Sequence, residues 1–166
     1  MNNPVCQETG VKRTYCSIAK NNDTYTTPLN NCVPVECNRN QILSPKCKCA
    51  YPYTGTLTLR APSFSDVRNK TVFAMLEFTL MESFRLHEKP VDSVSLSNPR
   101  KNAYQYLDLS LEIFPSGQDS FNRTGISGIG FMLSNQTYKP PAETFGPYYF
   151  IADTYEHYLN DSGNYI

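Results

Sequence analysis

The sequence predicts an α+β fold: a disulfide-stapled N-terminal segment, then a β-α-β-β-α-β domain on an antiparallel sheet. Three observations predict it. All six cysteines (Cys6, Cys16, Cys32, Cys37, Cys47, Cys49) fall within the first 49 residues. The rest of the chain alternates stretches of hydrophobic period two with stretches of helical period. The halves also differ in charge: residues 1–50 carry six Lys/Arg against three Asp/Glu, and residues 51–166 nine against twelve. The expected organisation is a cysteine-rich segment over 1–52, an α+β domain over 53–156 and a tail over 157–166.

The elements follow in order. "GTLTLRAPSF" (55–64) alternates Leu57 and Leu59 with polar residues and predicts a strand. "NKTVFAMLEFTLMESFRLHE" (69–88) places Phe73, Leu76, Leu80 and Phe84 at helical spacing among good helix formers, and Pro90 ends it. "VDSVSLS" (91–97) sets Val94 and Leu96 on one face of a strand, and "NPRKN" (98–102) is turn chemistry. "YQYLDLSLEIF" (104–114) is the clearest strand, with Leu107, Leu109, Leu111 and Ile113 against Asp108, Ser110 and Glu112. "SFNRTGISGIGFMLSNQ" (120–136) carries Phe121, Ile126, Ile129 and Leu133 at near-helical intervals, although three glycines weaken a helix there. "YKPPAETFGP" (138–147) reads as a loop and "YYFIADTY" (148–155) as a strand. This is a split βαβ order, which predicts a four-stranded antiparallel sheet with two helices on one face.

Hydrophobic residues make up 40% and charged residues 18%, which suits a globular chain. A formal net charge of zero argues against nucleic acid or an anionic membrane surface as the main partner. No apolar run reaches transmembrane length, and "MNNPVCQETG" lacks the pattern of a signal peptide. Five N-x-[ST] triplets begin at Asn22, Asn69, Asn122, Asn135 and Asn160. Beside an even cysteine count they point to an extracellular, glycosylated chain; a composition rich in Asn and Thr is the plain alternative.

The cysteine spacing narrows the chemistry. Zinc would want C-x₂₋₄-C pairs, often with histidine. Cys32 and Cys37 could form one, but Cys47-x-Cys49 is too tight and no histidine precedes His87. The C-x-x-C of a thioredoxin-like centre is absent. Disulfides remain. Residues one apart in an extended chain point to opposite faces, so a Cys47–Cys49 bond would be strained. The favoured pairing is Cys32–Cys47, Cys37–Cys49 and Cys6–Cys16, among the other connectivities that six cysteines allow. Lys46 and Lys48 would favour thiolate if these residues were reduced; an inert scaffold is the other reading.

No catalytic constellation, metal site or cofactor motif emerges. His87 closes a predicted helix and can meet its last carbonyls, and His157 lies among Tyr155 and Tyr158. Glu77 and Glu82 read as solvated helix surface. "GISGIG" lacks the third glycine of a dinucleotide fingerprint. Twelve tyrosines without tryptophan could line a carbohydrate site, Tyr148, Tyr149 and Tyr155 foremost, or simply fill strands and core.

Resemblances add to this. The split βαβ domain is similar at fold level to ferredoxin-like, extracellular SEA domains, without the Gly-Ser motif of those that cleave themselves. "CKCAYPYTG" (47–55) resembles the closing turn of an EGF-like module. "NNPVC" (2–6), "CKCAYPYTGTLTLRAPSFSDV" (47–67), "PVDSVSLSNP" (90–99), "FPSGQDSFNRTGISGIGF" (114–131) and "LSNQTYKPPAETFGPYYFIA" (133–152) together resemble plant leucine-rich-repeat receptor kinases, in the subfamily that includes the hydrogen-peroxide and quinone sensor.

That resemblance implies a membrane-proximal ectodomain segment on the extracellular side of the plasma membrane. It would follow a repeat array and precede a transmembrane helix and a kinase, none of which is in this sequence, so the segment itself is expected to be no enzyme. It implies oxidation chemistry at Cys32 with Cys37 and at Cys47 with Cys49. The resemblance implies a C-x-x-C first pair as in the sensor, whereas four residues separate Cys32 from Cys37 here, a departure that changes the disulfide options. The expected functions are a redox-sensing module, an inert stalk, or a binding module for a ligand or co-receptor, with self-association through the ectodomain as a further option.

Overall fold

The computed structural model describes residues 25–64 and 68–159. Cys6, Cys16, Asn22 and Asn160 lie outside the described residues. The elements are β1 (Ile42–Leu43), β2 (Cys49–Ala50), β3 (Tyr53–Leu59), α1 (Lys70–Leu86), β4 (Val91–Lys101), β5 (Leu107–Pro115), α2 (Arg123–Ser134), α3 (Ala142–Phe145) and β6 (Tyr148–Ala152). Strands β4-β5-β3-β6 lie side by side in one sheet, and β1-β2 form a separate two-stranded ladder. All neighbouring strands are antiparallel. β5 therefore separates β3 from β4, which run parallel to each other with α1 as their crossover.

The central strand shows why one face is core. Leu107, Leu109, Leu111 and Ile113 are buried while Asp108, Ser110 and Glu112 are half-buried on the opposite face. Leu109 faces Leu57 on β3, and Leu111 faces Leu96 on β4. Over that leucine face lies α1. Its Phe73, Leu76, Leu80 and Phe84 are fully buried, and each such side chain contributes about 1.5–3 kcal/mol of transfer free energy. Asn69 starts the helix by accepting from the Val72 amide at 3.3 Å. At its end the Lys89 amide reaches the Phe84 carbonyl at 2.8 Å, and Glu88 takes the left-handed conformation at φ 53°. The His87 imidazole Nδ1 donates to the Ser83 carbonyl at 2.9 Å, as its place at a helix end suggests.

α2 forms despite its glycines. Asn122 caps it, accepting from the Gly125 amide at 2.7 Å. Gly125 is buried against the Pro90 ring, where an added Cβ would stand 3.3 Å away, so the missing side chain allows close approach. Ile126, Ile129, Met132 and Leu133 complete the core under the sheet. Gly55 on β3 has a sterner reason to be glycine. A Cβ there would lie 2.5 Å from the Ile151 carbonyl oxygen and 2.6 Å from the Phe150 ring, so β6 could not pair so closely.

Three expectations change. β4 continues through the predicted turn at 98–102. Asn98 adopts φ 51°, the register shifts between Ser97 and Arg100, and pairing resumes at Arg100↔Asp108. Pro99 is tolerated because β4 is the sheet's edge strand and the ladder is already irregular there. The real turn lies beyond, where Asn102 Oδ1 accepts from the amides of Tyr104 (2.8 Å) and Tyr106 (3.1 Å), so β5 starts at Leu107. The predicted 138–147 loop holds the short helix α3, which buries Phe145.

Candidate functional site

The cysteine segment is built on a hairpin too small to stand alone. β1 and β2 pair through Ile42↔Ala50 and Leu43↔Cys49. Ser44 organises the loop between them. It is buried, its hydroxyl accepts from the amides of Lys46 (3.2 Å) and Lys48 (3.1 Å), and its amide donates to the Lys48 carbonyl at 2.8 Å. Cys47 sits in the left-handed region at φ 67°, whereas Cys49 lies in β2. The two side chains thus leave the backbone from different conformations and reach different partners. Cys32 bonds Cys47 and Cys37 bonds Cys49, the pairing favoured from the sequence. The two bridges interleave along the chain, and all four cysteines are half-buried. Among the described residues no cysteine is free.

Three seams join this segment to the sheet. At the first, the backbone at 25–27 lies along the outer edge of β4. Thr26 bridges Ser97, the Thr27 amide donates to the Leu96 carbonyl at 2.9 Å, and the Asn98 amide donates to the Tyr25 carbonyl at 3.3 Å. Glu77 on α1 closes that seam by accepting from the Tyr25 hydroxyl at 2.7 Å and from the Thr27 hydroxyl. Burial, then the Glu77 carboxylate, drives the Tyr25 hydroxyl well above its ordinary pKa, so it remains a donor. Glu77 therefore works as a clasp rather than as solvated surface. Glu82 does behave as surface, paired with Arg85 at 2.6 Å.

The second seam centres on Asp119. Its carboxylate accepts from Gln41 Nε2 at 3.0 Å and its carbonyl from the Tyr51 amide at 2.8 Å. Nearby, Lys48 Nζ lies 3.7 Å from Asp92, so its charge faces a carboxylate. A cleft of about 430 Å³ opens here between Ser44, Lys48 and Cys49 on one side and Asp92, Phe114 and Asp119 on the other.

The third seam is one phenol. Tyr155 Oη accepts from the Phe121 amide at 3.0 Å and donates to the Tyr51 carbonyl at 2.8 Å. Burial pushes its pKa up to about 12. Around it, His157 stacks on Tyr51 at 4.2 Å, and the Leu159 amide donates to the Phe121 carbonyl at 2.9 Å. The stretch that leaves the last strand thus returns to the exit of the cysteine segment.

The remaining sequence-predicted sites are scattered. Asn69 and Asn122 are helix N-caps, and Asn135 is the exposed C-cap of α2. Tyr148 and Tyr155 are buried with engaged hydroxyls, Tyr148 donating to the Tyr138 carbonyl at 2.7 Å. Among the described residues no group of three or more His, Cys, Asp or Glu could hold a metal ion, and no helix is long and apolar enough to cross a membrane. Sequence reasoning missed Thr27, Glu77, Asp119 and Tyr155 as joints. The alternation in "TYTT" (24–27) was the one local signal for the first of them.

No protein-family model matches the chain, and no solved structure matches it. Among curated proteins it is 40% identical over 164 residues to a probable leucine-rich repeat receptor-like protein kinase of Arabidopsis thaliana. The match covers 96% of this chain and 17% of the relative, so the chain spans less than a fifth of the protein it resembles. That similarity supports kinship with the leucine-rich repeat receptor-like kinases.

Proposed function

We propose that the chain is an extracellular, membrane-proximal module of a receptor-like kinase that takes part in sensing extracellular peroxide or quinone through its cysteine segment. The similarity to a receptor-like kinase supports the setting. The redox role rests on one observation: two interleaved, half-exposed disulfides close a small hairpin whose flanks are joined to the β4 edge and to Tyr155. Breaking either bridge leaves β1 and β2 with few bonds of their own, so the redox state of the pair would decide how firmly those seams are held. Oxidation of a reduced pair is balanced chemistry. Two thiols lose two electrons and two protons, peroxide leaves as two waters, and an S–S bond forms.

A second reading has its own support. Every described cysteine is already paired, as in an inert stalk that spaces other domains from a membrane. Counting free thiols by mass spectrometry on the secreted chain separates the two. Under mild reductant the sensor reading expects Cys32–Cys47 or Cys37–Cys49 to open while the sheet stays folded, and peroxide or a quinone to close it again. Four cysteines that stay protected under both treatments leave only the stalk.

A further inference from the structure

The five sequons are not equivalent in the fold. Asn69 and Asn122 each spend their side-chain oxygen on a helix N-cap and are half-buried. Asparagine is a favoured N-cap, so these two triplets have a structural reason to exist without any sugar. Asn135 differs. It is exposed at the end of α2, where the backbone closes with the Asn135 amide on the Phe131 carbonyl at 2.8 Å and the Thr137 amide on the Met132 carbonyl at 3.0 Å. Gln136 between them takes the left-handed position at φ 61°, where glycine is usual. The turn sets Thr137 Oγ1 3.5 Å from Asn135 Nδ2, long for a hydrogen bond, but it puts the sequon's hydroxyl beside its amide.

One turn before Asn135 stands Phe131, 67% exposed although it lies on a helix whose inner face is core. A lone exposed aromatic needs no partner. What singles this one out is its spacing. Residues at i and i+4 share a helix face, and a helical side chain leans back over the turn that precedes it. Asn135, whose amide donates to the Phe131 carbonyl, therefore stands on the same helix face as Phe131. On the same side of the helix Ser127 and Ser134 are exposed, and Gly128 is half-buried under the Lys89 side chain, whose Nζ would stand 3.0 Å from an added Cβ. An exposed aromatic ring offers an apolar face that fits the apolar face of a pyranose.

We propose that Asn135 carries an N-linked glycan whose first sugar seats on the ring of Phe131. The inference rests on the extracellular reading above. In the modification, Asn135 Nδ2 forms a bond to the anomeric carbon of a lipid-diphosphate-linked oligosaccharide. The anomeric C–O bond breaks, the lipid diphosphate leaves, and the amide gives up one proton.

The test is to secrete the whole chain from plant cells and map each sequon by glycopeptide mass. Thermal midpoints are then compared before and after enzymatic deglycosylation, in the parent chain and in Phe131→Ser. The expected result is a modified Asn135 peptide, with sugar removal lowering the midpoint by about 2–4 °C in the parent and by none in Phe131→Ser. An unmodified Asn135 beside a modified Asn69 or Asn122 overturns the proposal and leaves the extracellular reading standing. No modified sequon overturns both. An equal shift in the two chains overturns the seating on Phe131.

Discussion

The stapled segment and the sheet with its helices are held by different forces. The sheet unit buries the inner faces of its strands against two helices, and Leu57, Leu109, Leu111, Phe73 and Phe84 are fully enclosed. Between residues 28 and 50 the buried apolar side chains are the small ones of Pro45 and Ala50, and Val33 and Val35 are exposed. Two disulfides, a serine-centred turn and a few long-range hydrogen bonds do there what apolar burial does elsewhere. The difference teaches that the two regions answer to different perturbations. Volume and charge changes act on the sheet unit, whereas reduction acts on the segment.

The strongest way to break that contrast is Leu109→Asp. A charge at this buried central position has no partner, which costs about 4 kcal/mol or more, so circular dichroism should find no cooperative fold. A soluble mutant with a sharp melt would refute the packing described. Next, replacing Cys37 and Cys49 together by serine should cost the segment about 3 kcal/mol for a loop of this size. Amide exchange should quicken at Leu43 and Ala50 yet stay slow at Leu109 and Leu111. Equal acceleration in both places would mean that the regions unfold as one.

Tyr155→Phe probes the joint between them. It strips the Phe121 amide and the Tyr51 carbonyl of their partner at a buried site, an expected loss of about 1–3 kcal/mol in a denaturant melt; an unchanged midpoint would remove the phenol from its coupling role. The smallest effect concerns Glu112, whose carboxyl is held above its ordinary pKa by burial on the far face of β5. The folded chain then binds that proton more tightly than the unfolded chain does. Its stabilising contribution is complete below the unfolded value and is lost as pH rises through the folded value. Glu112→Gln should therefore raise the melting temperature at about pH 7, and the gain should vanish by about pH 4. A gain independent of pH would exclude the carboxyl as its cause.

Much of the fold was legible because its signals are local. Phe73, Leu76, Leu80 and Phe84 announce α1, and the alternation from Leu107 to Ile113 announces β5. The helix at 123–134 could be read in spite of its glycines, since Ile126, Ile129 and Leu133 keep the helical period. The passage of β4 through Pro99 was not legible, because only the sheet's edge position makes a proline acceptable there. The cysteine pairing was partly legible, as covalent geometry disfavours a Cys47–Cys49 bond. The seams were hidden for a different reason. Tyr25 meets Glu77 across 52 positions, and Tyr155 meets Tyr51 across 104; no window along the chain contains both partners.

The phenol of Tyr155 also fixes how the module would carry a pull. Load entering at Tyr51 and leaving at Leu159 meets at two neighbouring joints, Tyr155 Oη on the Tyr51 carbonyl and the Leu159 amide on the Phe121 carbonyl. Tension applied there crosses a few hydrogen bonds at one end of the sheet and bypasses the β3–β6 ladder until those bonds part. Such a pull would load these rim bonds first and the Gly55–Ala152 end of the β3–β6 ladder next.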